Sequence, residues 1–482
     1  MRLFVRYSCI KLHQPSSFVG SQNRFCLFHS KPPGLFVNRT LANSFTNIRF
    51  EHLTSIHCFA VNDLHTWTAI WSNALSTVQT KVNKLLRLRE DLYSSRSFHS
   101  QSAHSGYQIE LNNQDKFLEI TFDKSSLKVP LIWLRDHCRS AKSYNHKTFQ
   151  KNVDSDLLKR DLMPASIDYL RNNSGIVIVW KDGHISEFTF EFLVDNFYPG
   201  RFCQWTERLL WNRAVIESHG LPEVSYDLHM GDETGLKKSL VNLVKYGFTF
   251  VHGVPVSVEG TQEVAERVAP VFSTIFGKMW VFTADGSHSD TAYSTQHLGA
   301  HTDNAYLVSP AGIQVFQCFE HNGAGGETLL VDGFKAIELL RAADPTAFHL
   351  LSQMVIPHEY IEKPSECSPG YHLYSLGTVI SSHPASGELL QIRYNPYDRA
   401  PLNTVKPDDI QAFYEAYEKL SQIIADPSNE LWLKLMPGSV LLVDNWRVLH
   451  GRSAFEGKRI MGGCYLSRDM WLSKARMLAV LC

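Results

Sequence analysis

The chain has 482 residues, 44% of them hydrophobic and 20% charged, enough apolar material to bury a large core divided into two or three units. Its formal net charge of -1 leaves no electrostatic case for nucleic-acid binding, which needs a basic stripe to neutralise phosphates. Nine cysteines without a CxxC pair argue against a secreted disulfide framework and for a reducing compartment, and no apolar run reaches the roughly 18 to 20 residues that span a bilayer.

Between Met1 and Phe50, Arg2, Arg6, Lys11, Arg24, Lys31, Arg39 and Arg49 stand among many Ser and Thr with no Asp or Glu, the composition of an organelle transit peptide. Within Trp67 to Leu92 a helical period runs through Trp71, Leu75, Val78, Val82 and Leu85. Arg96 to Ser100 then reads as a processing site. The expectation is a leader over residues 1–100 and a mature protein that begins near residue 100.

Residues 107–200 alternate short apolar runs with turns: Phe117 to Phe122, Val129 to Leu134, and Gly175 to Trp180 followed by the turn Lys181 to Gly183. This predicts a small β-rich domain, joined by Arg201 to Leu221 to a larger one over residues 226–482. There, Leu240, Leu243 and Val244 share a helical face that ends at Gly247, the strand Phe248 to Gly253 follows, and a helix begins at Thr261. Strands are expected at Gly312–Phe319, Thr328–Val331, Leu389–Tyr394, Ser439–Val443 and Ile460–Leu466, and helices at Phe334–Ala342 and Asp408–Ala425. Antiparallel-type strands between Gly and Pro turns, with helices inserted, predict a mainly β fold of jelly-roll type. There is no GxGxxG or P-loop pattern for a nucleotide.

Two HxD triplets lie close together, His288-Ser289-Asp290 and His301-Thr302-Asp303, so the spacing alone does not single one out. A non-haem iron centre takes two histidines and one carboxylate on one face of the metal, and residues two apart on a strand point to the same side. The third ligand must come from another strand. His450 follows the apolar strand Ser439 to Val443, and Arg459 on the next strand offers a planar fork for the distal carboxylate of a keto acid.

The blocks around Trp280 to Phe334, with Asp444 to Arg452, Ile132 to Ser140, His358 to Glu362, Arg393 to Ala400 and Gly463 to Asp469, resemble the γ-butyrobetaine and trimethyllysine dioxygenase family over roughly Tyr107 to the C-terminus. That resemblance implies a double-stranded β-helix with His301, Asp303 and His450 as Fe(II) ligands and Arg459 as the 2-oxoglutarate anchor. It implies an aromatic cage of Phe276, Trp280, Tyr293 and Tyr465 for a trimethylammonium group, which is held by cation–π attraction because it has no N–H to donate. Asp290 would bind the α-ammonium, and Asn395 with Tyr397 the carboxylate, of trimethyllysine. The implied reaction is C3 hydroxylation of trimethyllysine with O2, the first step of carnitine biosynthesis, supported by ascorbate, in a homodimer of the mitochondrial matrix.

Two departures from the family pattern stand out. Asn304 directly follows the metal aspartate. Where butyrobetaine enzymes hold structural zinc with a cysteine cluster and a later histidine, this chain keeps Cys138 and His184 but has Ser140 and Ser143 in place of cysteines, so a closed tetrahedral site is not expected unless His137 or His146 is recruited. Three alternatives remain at this level. They are a γ-butyrobetaine hydroxylase, a non-catalytic binding protein for quaternary ammonium compounds, and a hydrolytic zinc enzyme, which would need a general base near the metal.

Overall fold

In the computed structural model, which describes residues 106–122, 125–154, 158, 162–197, 207–284, 293–364 and 368–481, the early apolar runs pair into two antiparallel meanders. β1 (Gln108–Asn112), β2 (Phe117–Phe122) and β3 (Ser125–Pro130) form the first, and β4 (Tyr144–Asn145) and β5 (Gln150–Lys151) make a short ladder. β6 (Pro164–Tyr169), β7 (Gly175–Trp180) and β8 (Ile185–Thr189) form the second. Leu118, Ile120, Val129, Ile176, Ile178 and Phe188 pack into a common core. Gly183 takes the left-handed conformation at the expected turn, with φ 79°. The run Val129 to Leu134 is strand only to Pro130. Leu131–Asp136 is helix, because Leu131 and Leu134 are buried three apart while Ile132 is exposed.

Beyond residue 207 two sheets face each other. The larger is built from β9 (Glu223–Ser225), β10 (Phe248–His252), β11 (Val271–Phe272), β12 (Met279–Phe282), β14 (Ile313–Asn322), β21 (Ser439–Asp444) and β23 (Lys458–Leu466). The smaller runs β13 (Leu298–His301), β22 (Val448–Arg452), β15 (Thr328–Asp332), β20 (Leu431–Leu433). Two ribbons complete the strands, β16 (Val355–Glu362) with β17 (Tyr371–Thr378), and β18 (Ile380–Ser382) with β19 (Leu389–Ile392). The fold is a double-stranded β-helix with inserted helices, joined to β-rich N-terminal sheets.

Strand alternation assigns the cores. On the central strand β21, Val440 and Leu442 pack with the helices Glu233–Tyr246 and Val258–Val268, whereas Leu441 and Val443 face the inter-sheet core with Phe248, Phe250 and Leu330. On the smaller sheet Leu329, Val331 and Leu449 pack outward against the helices Gly333–Ala343, Pro345–Gln353 and Ile410–Ile424, which turns their neighbours Leu330 and His450 inward. The helix Glu233–Tyr246 starts where Asp232 accepts hydrogen bonds from Thr234 N and Gly235 N, and stops at Gly247 with φ 79°. The helix Pro345–Gln353 and the ribbon β16–β17 have no counterpart among the sequence expectations. The proposed leader and its helix, and residues 201–206 of the connection, lie outside the described residues. No helix among the described residues is long and apolar enough to cross a membrane.

Candidate metal and cosubstrate site

His301 and His450 are direct cross-strand partners on β13 and β22, so both rings project into the space between the sheets, 4.5 Å apart. The strand ends at His301, and Asp303 stands in the turn beyond rather than two places along the strand. Its backbone N–H donates to Asn445 Oδ1 at 2.9 Å, Asn445 Nδ2 donates back to Asp303 O at 3.0 Å, and Asn304 closes the turn with φ 55°. Asparagine tolerates that left-handed conformation better than most residues, which gives the departure at Asn304 a backbone role.

The donor atoms of His301, Asp303 and His450 lie within 4.8 Å of one another, and among the described residues no other His, Cys, Asp or Glu group is so arranged. Asp303 Oδ1 is 3.1 Å from His301 Nε2 and 3.7 Å from His450 Nε2. His301 Nδ1 bonds to Gly299 O at 2.9 Å, which places the proton on Nδ1 and leaves the Nε2 lone pair for a ligand. Burial opposes ionisation of Asp303, but the two histidines outweigh it and hold the carboxyl well below its usual range. Burial, reinforced by His301 and opposed by Asp303, brings the His450 imidazole down to about 3, so it is neutral at pH 7. Burial also works against a charged His301, but there the hydrogen bond and charge of Asp303 outweigh it and raise the imidazole above its ordinary value. Two imidazoles and a carboxylate on one side of a cavity form the donor set that suits ferrous iron, and these residues fit it.

The same cavity is lined by Arg459, Phe276, Trp280, Tyr293, Tyr465, Asn395 and Tyr397, so the structure brings together every expected site residue that it describes. Arg459 is 7% exposed, and burial with Arg452 nearby pulls its guanidinium down to about 10, still cationic at neutral pH. Trp280 packs 5.9 Å from Tyr465 and 5.3 Å from Phe282, and Phe282 lies 5.4 Å from Tyr293. Asn395 has both amide groups engaged: Nδ2 donates to Thr302 O and Asp398 Oδ2, and Oδ1 accepts from the N–H groups of Tyr397 and Asp398. It therefore shapes the loop that carries Tyr397 and Asp398. Asp290 and its companion His288 lie outside the described residues.

Gln314, Thr328, Asp398 and Arg452 also line the cavity, and sequence reasoning missed them. Two carried a signal. Gln314 is a polar residue within the apolar start of β14, between Ile313 and Val315, and Arg452, two residues after His450, shares its face of β22. In the N-terminal part, His184 Nε2 lies 3.2 Å from Cys138 Sγ, 3.5 Å from Ser140 Oγ and 3.4 Å from Ser143 Oγ. His137 and His146 instead bond to the carbonyls of Trp133 and Arg139.

Comparison with known proteins places these features in a family. Residues 217–465 match the family described as taurine catabolism dioxygenase TauD, TfdA, and residues 109–194 match the γ-butyrobetaine hydroxylase-like N-terminal family. The mitochondrial trimethyllysine dioxygenase of Homo sapiens is 42% identical over 369 residues, covering 76% of this chain and 86% of that protein. The Bos taurus protein of the same name is 38% identical over 423 residues, covering 85% of this chain and 100% of the relative. The trimethyllysine dioxygenase of Meyerozyma guilliermondii is 32% identical over 371 residues, covering 74% and 92%.

Proposed function

The chain belongs to the trimethyllysine dioxygenase family, and from that premise we propose that it hydroxylates N6,N6,N6-trimethyllysine at C3 in a reaction dependent on Fe(II) and 2-oxoglutarate. The observation that carries this reading is one cavity lined by the His301, Asp303 and His450 donors, by Arg459 and by a wall of aromatic rings. Bound iron would supply dioxygen activation coupled to oxidative decarboxylation of 2-oxoglutarate to succinate and CO2. The protein does the rest. Arg459 pairs with the distal carboxylate of 2-oxoglutarate, and Phe276, Trp280, Tyr293 and Tyr465 hold the trimethylammonium. That anchoring sets the substrate carbon at the metal and keeps the site dry. Replacing Arg459 by methionine is expected to raise the KM for 2-oxoglutarate about thirtyfold or more, because a buried charge pair loses its cation. Lysine restores only part, since it lacks the fork. A KM unchanged by Arg459→Met in succinate assays would remove the anchor assignment.

The proposal includes the mitochondrial matrix as location, the first step of carnitine synthesis as role, ascorbate as the reductant that keeps iron ferrous, a homodimer, and a catalytic domain over residues 226–482 that follows a small one over 107–200. Substrate choice depends on the α-ammonium, which trimethyllysine has and γ-butyrobetaine lacks. In addition to Asp290, which is assigned from the sequence resemblance alone, Asp398 supplies an anionic partner for that ammonium: it lies on the cavity wall with Oδ2 held at 2.7 Å by Asn395 Nδ2. Asp398→Asn is expected to raise the KM for trimethyllysine on the order of tenfold, the worth of a hydrogen bond to a charged group, without impairing any turnover of γ-butyrobetaine. The deciding assay measures succinate formed by the full chain with Fe(II), ascorbate and 2-oxoglutarate, with the two betaines in parallel. Turnover with trimethyllysine supports the reading, and turnover with γ-butyrobetaine alone overturns the substrate.

A further inference from the structure

Gln314 on β14 and Tyr465 on β23 are direct partners in the register of the larger sheet. Both reach across the cavity to the same atom. Tyr465 donates its hydroxyl to Asp303 Oδ2 at 2.9 Å, and Gln314 Nε2 donates to that oxygen as well. The other oxygen, Oδ1, is the one turned toward His301 Nε2 and His450 Nε2. Gln314 is 2% exposed and Tyr465 6%, so neither bond is weakened by competition with bulk water.

We propose that Gln314 and Tyr465 form a clamp that positions Asp303, reserving Oδ2 for protein donors and Oδ1 for the metal. This rests on the reading above, in which iron sits at His301, Asp303 and His450. A carboxylate with both oxygens free can chelate a metal through both, and that would occupy a coordination position needed by the keto acid or by dioxygen. Two donors on Oδ2 make chelation costly. Both are uncharged, so they orient the carboxylate without offsetting the negative charge that binds the cation, as a lysine or arginine would. The clamp also fixes Asp303 from the sheet opposite β13: the backbone of the turn is tied to Asn445, and the Asp303 side chain to β14 and β23. Tyr465 thereby has two jobs, an aromatic wall against Trp280 and a ligand-positioning hydroxyl.

The test is Mn(II) affinity of the full chain, read from the free Mn(II) signal in electron paramagnetic resonance, with circular dichroism and Tm as fold controls. Tyr465→Phe keeps the aromatic wall and removes only the hydroxyl, and Gln314→Leu removes only the amide donor. Each is expected to weaken Mn(II) binding about tenfold at little cost in Tm, the usual effect of removing a hydrogen-bond partner from a metal ligand. If Tyr465 serves only as wall and Gln314 only as filler, both variants bind Mn(II) like the unsubstituted chain, and the clamp is wrong. If the unsubstituted chain binds no better than His301→Ala, the metal-site reading itself fails and the clamp falls with it. Should Gln314→Leu not fold, Tyr465→Phe decides alone.

Discussion

Replacing Asp303 by alanine is expected to abolish metal binding and to reduce turnover on the order of a thousandfold or more, with the fold retained. The size follows from what the metal contributes, several kcal/mol of transition-state stabilisation, at a tenfold change in rate for each 1.4 kcal/mol or so. The direction follows from the geometry. Asp303 Oδ1 lies between the two histidine nitrogens, and its charge is the only anionic member of the triad. Without it, two buried imidazoles must bind a dication with no anionic ligand, in a cavity that also carries Arg459 and Arg452 and, among the described residues, keeps only Asp398 as a lining carboxylate. The variant should show no saturable Mn(II) binding and no succinate above background while its circular dichroism matches the parent. Retained turnover would place the metal elsewhere. Retained metal binding with lost turnover would make Asp303 a participant in chemistry and not a ligand.

The second large effect concerns stability. Arg447 is 1% exposed, and its guanidinium forks onto Asp332, Nε to Oδ1 at 3.1 Å and Nη2 to Oδ2 at 2.8 Å. The remaining donors reach the carbonyls of Val244, Lys245 and Leu209. Asp332 in turn accepts from Trp211 N and from Phe334 N, the first turn of the helix Gly333–Ala343. One ion pair therefore joins the end of β15, the last turn of the helix Glu233–Tyr246 and the turn between β21 and β22. Breaking it strands a buried charge, so Arg447→Leu and Asp332→Ala are each expected to cost about 3–5 kcal/mol, seen as a fall in the denaturant midpoint. The double variant should cost much less than the sum, because the charge each single variant strands is then absent. Additive losses would show that the two groups act separately. The turn they hold carries Asn445 and leads into His450, so metal affinity should fall along with stability.

Much of this protein was legible before folding. The apolar runs announced β2, β7, β10, β14, β21 and β23, because strand burial writes itself into local alternation or into continuous apolar text. The cap at Asp232 was not read, although the stop at Gly247 was. At the site, His301, Asp303 and His450 could be named as a group because each sits in a short block whose resemblance to a family is specific, and Arg459 because it stands on the strand that follows His450. The same reasoning identified Tyr465 as an aromatic wall but not as a donor to Asp303, since nothing in a run of nine strand residues says which atom a hydroxyl will meet.

The sequence by itself determined the shared face of Leu240, Leu243 and Val244, the positions of the main strands from β2 to β23 named above, and the set of side chains able to hold a metal. Only the tertiary structure decided that His301 lies opposite His450, that Gln314 lies beside Tyr465, that Asp303 is aimed by a turn tied to Asn445, and that Arg447 meets Asp332. The physical reason is that periodicity records how a residue is buried, a property of its own strand or helix, whereas register and buried hydrogen-bond partners are set between segments far apart in the chain. Which strand packs opposite which is settled by the packing of the whole core.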